Sequence, residues 1–178
     1  MNYDRVFLDA LQSVLIEYGD AQIDLLSESD LKAHLFSECI NLMRKRGFPS
    51  PFKVYAEKGV SDKRKKIDLV LGDNEVLVEL KFEPESSLGG QGRVFDTVKQ
   101  AGGMGYGSVE EDLQKIDNYA KKGRHAHFVM IDETGWHVEA IVPEKWKHIN
   151  VGSKKSYLLH IRGRNEGGHR SPETKNSL

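Results

Sequence analysis

Three residues within fourteen positions could work as one set, two carboxylates and an amine: Asp68, Glu79 and Lys81. They lie in the run Ile67, Asp68, Leu69, Val70, Leu71, Gly72, Asp73, Asn74, Glu75, Val76, Leu77, Val78, Glu79, Leu80, Lys81. Val76, Val78, Leu80 and Phe82 alternate with Leu77, Glu79 and Lys81, the period-2 signature of a strand. One face is apolar, and the other carries a carboxylate and an amine. Asp73 and Asn74 both tolerate positive φ, so they predict a two-residue hairpin turn. Such a turn pairs Gly72 with Glu75 and therefore Asp68 with Glu79, on one face, with Cβ atoms about 4.5–5.5 Å apart. Like charges directly opposed destabilise a sheet. This pair needs a compensating cation, for which a hard, oxygen-seeking ion such as Mg²⁺ is suited, with Lys81 as a fixed charge beside it. The plain alternative is a surface hairpin whose charges face water.

The elements around this hairpin must position it. Residues 3–18 place Val6, Phe7, Leu11, Val14, Leu15 and Tyr18 at helical spacing, with Gly19 as the stop. Ser27 opens a second helix, with Asp30 in the capping-box position, running to about Arg46 before Gly47, Pro49 and Pro51. Its apolar arc (Leu31, Leu35, Phe36, Cys39, Ile40, Leu42, Met43) is wide enough to be buried on two sides. Lys53 to Gly59 reads as a first strand carrying Glu57. Ser108 with Glu111 predicts the capped start of a third helix, with Val109, Leu113, Ile116 and Ala120 as its stripe and Gly123 as its end. Asp112, Lys115 and Tyr119 project from its other faces, with Lys115 exposed or touching phosphate. His125 to Ile131 is an apolar strand. Trp136 to Val142 and Ser156 to Arg162 are read as the C-terminal strands, and 163–178 as a polar, disordered tail.

A strand pair with Asp, a spacer of about ten residues and then Glu-x-Lys resembles the PD-(D/E)XK nuclease superfamily. Here the motif stands as Ile67 and Asp68, then Glu79, Leu80 and Lys81, with Ile67 where the family usually has proline. The resemblance covers roughly residues 28–132. It implies an α/β (α+β) fold with a restriction-endonuclease-like core: helix, three strands, helix and strand, in a mixed central sheet flanked by helices. The expected domain plan is one domain, 1–162, with its core at 27–132. The implied activity is metal-dependent hydrolysis of phosphodiester bonds, with DNA favoured over RNA. Asp68, Glu79 and the backbone carbonyl of Leu80 would hold Mg²⁺, for which Mn²⁺ can substitute. Lys81 would act as base or as electrostatic prop.

In the superfamily an acid from the first core helix often completes the metal site. Glu38 sits at the rim of the apolar arc, within about 20° of Leu31, and is preferred to Glu28, whose first-turn position is explained by the helix dipole alone. Glu57 is a further acid within reach. In many superfamily members a helix follows the Glu-x-Lys strand, and Val109 to Ile116 resembles it; Gln114 and Tyr119 do not match the Gln/Tyr spacing some members carry there.

With 178 residues, 38% hydrophobic and 30% charged, the chain suits a single globular domain. It has no apolar run long enough for a membrane span and no signal-peptide pattern. Cys39, the single cysteine, fits a reducing, cytoplasmic setting. A net charge of −1 carries no global nucleic-acid signal. Locally, Arg44, Lys45, Arg46, Lys53, Lys58, Lys63, Arg64, Lys65 and Lys66 meet only Glu57 and Asp62, the layout of a phosphate-contacting stripe or of a solvated loop. Residues 84–107 hold seven glycines and read as an active-site flap presenting Arg93, Lys99 and Gln100, or as a plain linker. They match neither a P-loop nor a dinucleotide fingerprint. His125 and His127 share a strand face without a third ligand at recognisable spacing, so a structural role outranks a metal site. A homodimer or a partner subunit could supply specificity. The reading from another class is a nucleic-acid- or protein-binding module on a nuclease-like fold without turnover.

Overall fold

The computed structural model describes residues 1–59, 66–84, 106–135, 137–139, 141–152 and 154–163. Helix α1 spans Tyr3–Gly19 and starts where the Asn2 side chain accepts the Arg5 N–H at 2.9 Å. It buries Val6, Phe7, Ala10, Leu11, Val14 and Tyr18 along one stripe. Helix α2 spans Glu28–Lys45. Ser27 caps it: its Oγ accepts the Asp30 N–H at 3.2 Å, while Asp30 Oδ2 accepts the Ser27 hydroxyl at 2.8 Å and the Leu26 N–H, one residue before the box position, at 3.1 Å. Gly47, at φ 70°, closes the helix in the left-handed region. The arc of α2 packs on α1 along one side and on the sheet along the other.

The sheet has six strands among the described residues: β1 Val54–Gly59, β2 Lys66–Leu71, β3 Val76–Glu83, β4 His125–Asp132, β5 Trp146–Val151 and β6 Lys154–Arg162. Their spatial order is β1-β2-β3-β4-β6-β5, antiparallel throughout except for β3 and β4, which run parallel. Parallel neighbours need a crossover, and helix α3, Tyr106–Ala120, lies in it. Leu69, Leu71, Val76, Val78, Leu80, Phe82, Val129 and Ile131 face α1 and α2. Ala126, Phe128 and Met130, the alternate residues of β4, face α3. The chain is thus a mixed α+β protein with helices on both sheet faces. Among the described residues no helix is long and apolar enough to cross a membrane.

Three local expectations are corrected. The β2–β3 turn has four residues, Gly72 to Glu75, because the last pair is Leu71 with Val76. Gly72 and Asn74 take positive φ, 66° and 64°, rather than Asp73 and Asn74. Any Cβ on Gly72 would lie 2.9 Å from the Tyr3 ring, so glycine is required there. The register is nonetheless the predicted one, since a four-residue loop centred on the same two residues preserves the pairing. Helix α3 starts at Tyr106, so Ser108 lies inside it.

The third correction concerns the strand expected over Trp136 to Val142: of its described residues, 137–139 form a turn, and Pro143–Lys145 just beyond forms a 3₁₀ turn. The Asp132 carboxylate accepts the backbone N–H groups of Thr134, Gly135 and His137 at 2.8–2.9 Å, the last of these inside the expected strand, and the Ile141 N–H turns back to the His137 carbonyl at 3.0 Å. The extra strand is instead β5, whose Trp146, Ile149 and Val151 are half-buried while Lys147, His148 and Asn150 face out. Most of the glycine-rich segment, 85–105, and the tail, 164–178, lie outside the described residues.

Candidate active site

The β2–β3 ladder ends at Leu69 with Val78. One step further the register sets Asp68 level with Glu79, and the β1–β2 register sets Glu57 level with Asp68, yet neither is a ladder pair. Glu57 carries φ 53° at that level. Asp68 Oδ2 instead accepts the Leu80 N–H at 2.9 Å, so a side chain stands in for the missing strand–strand bond. A strand residue's N–H and C=O face the same neighbour, which turns the Leu80 carbonyl to the same side as Asp68.

Two helices reach this opening. From α2, Lys32 Nζ lies 3.1 Å from Glu57 and 3.5 Å from Asp68, while Glu28 Oε2 lies 3.5 Å from Lys81 Nζ. From α3, Asp112 Oδ2 lies 3.2 Å from Lys81 Nζ, and Asp112 Oδ1 pairs with Lys115. Lys115 Nζ also lies 3.5 Å from Glu79 Oε1. Four acids (Glu28, Asp68, Glu79, Asp112) therefore interlock with three lysines (Lys32, Lys81, Lys115).

Burial sets the electrostatics. The Glu79 side chain is 4% exposed. Desolvation first, then repulsion from Asp112 and Asp68 and a hydrogen bond with Asp68, push its carboxyl up to about 8 against the opposing pull of Lys115. Glu28 is also raised, chiefly by burial. For Lys81 burial works against the charged form, but Glu28 and Asp112 outweigh it and leave the amine above its ordinary range. Lys81 is thus an ammonium in this arrangement, a fixed positive charge rather than a free base.

Asp68, Glu79 and the Leu80 carbonyl form a donor set of oxygens alone, which suits a hard divalent ion. Both carboxyls already have a lysine at 3.5 Å, Lys32 for Asp68 and Lys115 for Glu79. Among the described residues no group of three or more His, Cys, Asp or Glu side chains is arranged to hold a metal. Glu28 and Asp112, the acids nearest to completing one, are both bound to Lys81. No family model, no curated protein and no solved structure matches this chain.

Of the residues singled out in the sequence, Asp68, Glu79 and Lys81 come together. Glu38 does not join them: its hydrogen bond is from Asn41 Nδ2, 3.4 Å away on the same helix. Ten residues separate it from Glu28, about 15 Å along a helix, and Glu28 is the α2 acid that lies beside Lys81. Glu57 is exposed and held by Lys32 and Lys66, the latter at 3.2 Å. Lys66 is likewise exposed; Lys63, Arg64, Lys65, Arg93, Lys99 and Gln100 lie outside the described residues.

Asp112 was expected off the apolar stripe and Lys115 exposed or touching phosphate; neither was expected beside Glu79 and Lys81. The buried stripe of α3 is Val109, Asp112, Ile116 and Ala120, with Leu113 only half-buried. An acid at the i+3 position of an apolar stripe is the signal that could have found it. His125 and His127 serve elsewhere, on the α1 face. His127 Nε2 lies 2.8 Å from Asp4 Oδ1 and its Nδ1 3.0 Å from His160 Nε2, while Arg162 reaches both Asp4 and His125. This network ties the start of α1 to β4 and β6.

Proposed function

We propose that this chain is a metal-dependent nuclease hydrolysing phosphodiester bonds in nucleic acid, DNA in preference to RNA, on a restriction-endonuclease-like core. The observation that carries it is the pairing of half-buried Asp68 with buried Glu79 at the open end of the β2–β3 hairpin, with Lys81 one residue beyond Leu80. The element order α2, β1, β2, β3, α3, β4 agrees with the helix, three-strand, helix, strand unit that the Asp68 and Glu79-Leu80-Lys81 motif implies.

In this reading Asp68, Glu79 and the Leu80 carbonyl hold Mg²⁺ or Mn²⁺, with Glu28 rather than Glu38 as the acid from the first core helix. When bound, the ion supplies charge neutralisation at the phosphate and an acidified water. Lys81, as an ammonium, offsets negative charge growing on the non-bridging oxygens. Lys63, Arg64, Lys65, Lys66 and Arg93 remain the proposed backbone contacts, and a second copy or partner subunit would serve cleavage of both strands of a duplex.

The test is cleavage of plasmid, single-stranded DNA and RNA by wild type, Asp68→Ala and Lys81→Ala, each with Mg²⁺, Mn²⁺ or EDTA. Metal-dependent cutting by wild type alone is the expected result. Equal cutting by the variants would sink the site.

A second reading is a binding module without turnover. It is favoured by the way Lys32, Lys81 and Lys115 already engage the acids. Calorimetric titration with Mn²⁺ separates the two, since a pure binding module has no use for the ion at Asp68 and Glu79.

A further inference from the structure

We infer that Asp112 is a positioning residue that holds Lys81 and Lys115 as a matched pair of ammonium groups beside Glu79, so that the site presents two amines to a phosphodiester. The role for the phosphodiester rests on the nuclease reading; the holding of the two amines does not.

The geometry is a hub. Asp112 is 5% exposed, and its two carboxylate oxygens are divided between two lysines from different elements: Oδ2 to Lys81 on β3, Oδ1 to Lys115 on α3. Each lysine then touches one further acid, Glu28 for Lys81 and Glu79 for Lys115. Without Asp112, Lys81 would be left to Glu28, which is a third exposed and at 3.5 Å, and Lys115 to Glu79 alone, also at 3.5 Å.

Fold stability alone does not call for such a hub. Asp112 stands in the stripe of Val109, Ile116 and Ala120, where an apolar residue would pack against the sheet. Buried ion pairs seldom stabilise more than well-packed apolar groups do. What the hub does provide is orientation. Lysine is a flexible point charge, and a carboxylate gripping two of them sets their spacing. The lysines keep contact with solvent, 17% and 24% exposed, so a substrate anion can reach the amines while Asp112 stays beneath them.

Asp112→Asn and Asp112→Glu test this in the full chain. Brief treatment with limiting acetic anhydride, read lysine by lysine by mass spectrometry, reports amine accessibility. Asp112→Asn should raise labelling of Lys81 and Lys115 severalfold and leave Lys32, which Glu57 and Asp68 hold, at the wild-type level; Asp112→Glu should restore much of the protection. On a cleaved substrate, Asp112→Asn should lower kcat by roughly tenfold to a hundredfold with KM little changed, as expected for misplaced rather than missing groups. Unchanged labelling of Lys81 and Lys115, or an equal rise at Lys32, overturns the inference, as does a loss carried by KM. If wild type cuts no substrate, the nuclease reading fails by itself, and the labelling pattern still decides whether Asp112 holds the two amines.

Discussion

Asp68 accepts the backbone N–H of Leu80 at 2.9 Å, across the gap where the β2–β3 ladder stops. One carboxylate therefore does two jobs, replacing a strand hydrogen bond with one oxygen and facing Lys32 with the other.

The two jobs separate by substitution. Asp68→Ala removes the acceptor and should lower stability by about 1–3 kcal/mol. Asp68→Asn keeps an oxygen for Leu80 and should unfold near the wild-type denaturant midpoint. Both should lose cleavage. Urea unfolding together with a plasmid assay checks the pair, and cleavage by Asp68→Asn at the wild-type rate would contradict the metal-ligand role.

Glu79 gives an alkaline signature. Its carboxyl is raised from 4.5 to about 8 by burial and by Asp112 and Asp68. Between those values the folded state holds a proton that the unfolded state releases, so this contribution to stability is present below about 4.5 and is lost as pH rises through 8. Glu79→Gln should remove that loss and be the more stable protein at pH ~9. Mg²⁺ should diminish the wild-type loss by binding the folded state. Melting temperatures across pH, with and without the ion, test both statements.

His127 gives the opposite slope. Burial first, with His160 and Arg162 adding to it, lowers its imidazole from 6.5 to about 4 against the pull of Asp4. Unfolding then takes up a proton in that window, so stability is fully present above about 6.5 and falls as pH drops towards 4. His127→Gln should flatten this part of the profile. An unchanged slope between pH 4 and 6.5 in the variant would show that other groups carry it.

Glu28 and Glu38 differ only in where α2 places them. Glu28→Gln should slow metal-dependent cleavage by roughly tenfold or more, the cost of about 1.4 kcal/mol in the transition state. Glu38→Gln should stay within about twofold, as surface changes away from a site do. Initial rates at saturating Mg²⁺ decide it.

Much of this protein is written locally. The Ser27 and Asp30 cap, the Gly47 stop, the period-2 pattern of Val76 to Phe82 and the level of Asp68 with Glu79 each depend on residues a few positions apart, and each was legible. The register held even where the turn did not, because alternation fixes which face a residue takes and only the loop's centre sets the pairing.

What the tertiary structure decided is who meets whom across elements. The 3.6-residue period places Glu28 and Glu38 on the same helix but does not say which end of α2 lies over the gap beside Lys81. Likewise, Asp112 is buried and Leu113 only half-buried on α3, which packs on β3 and β4. In the described residues of 137–142 a turn stands where a strand was expected, with the His137 N–H held by Asp132 and the Ile141 N–H by the His137 carbonyl. Periodicity and capping are properties of a segment, whereas ion-pair partners, buried carboxyls and shifted pKa values come from distances between segments, which exist only once the sheet and its helices have packed.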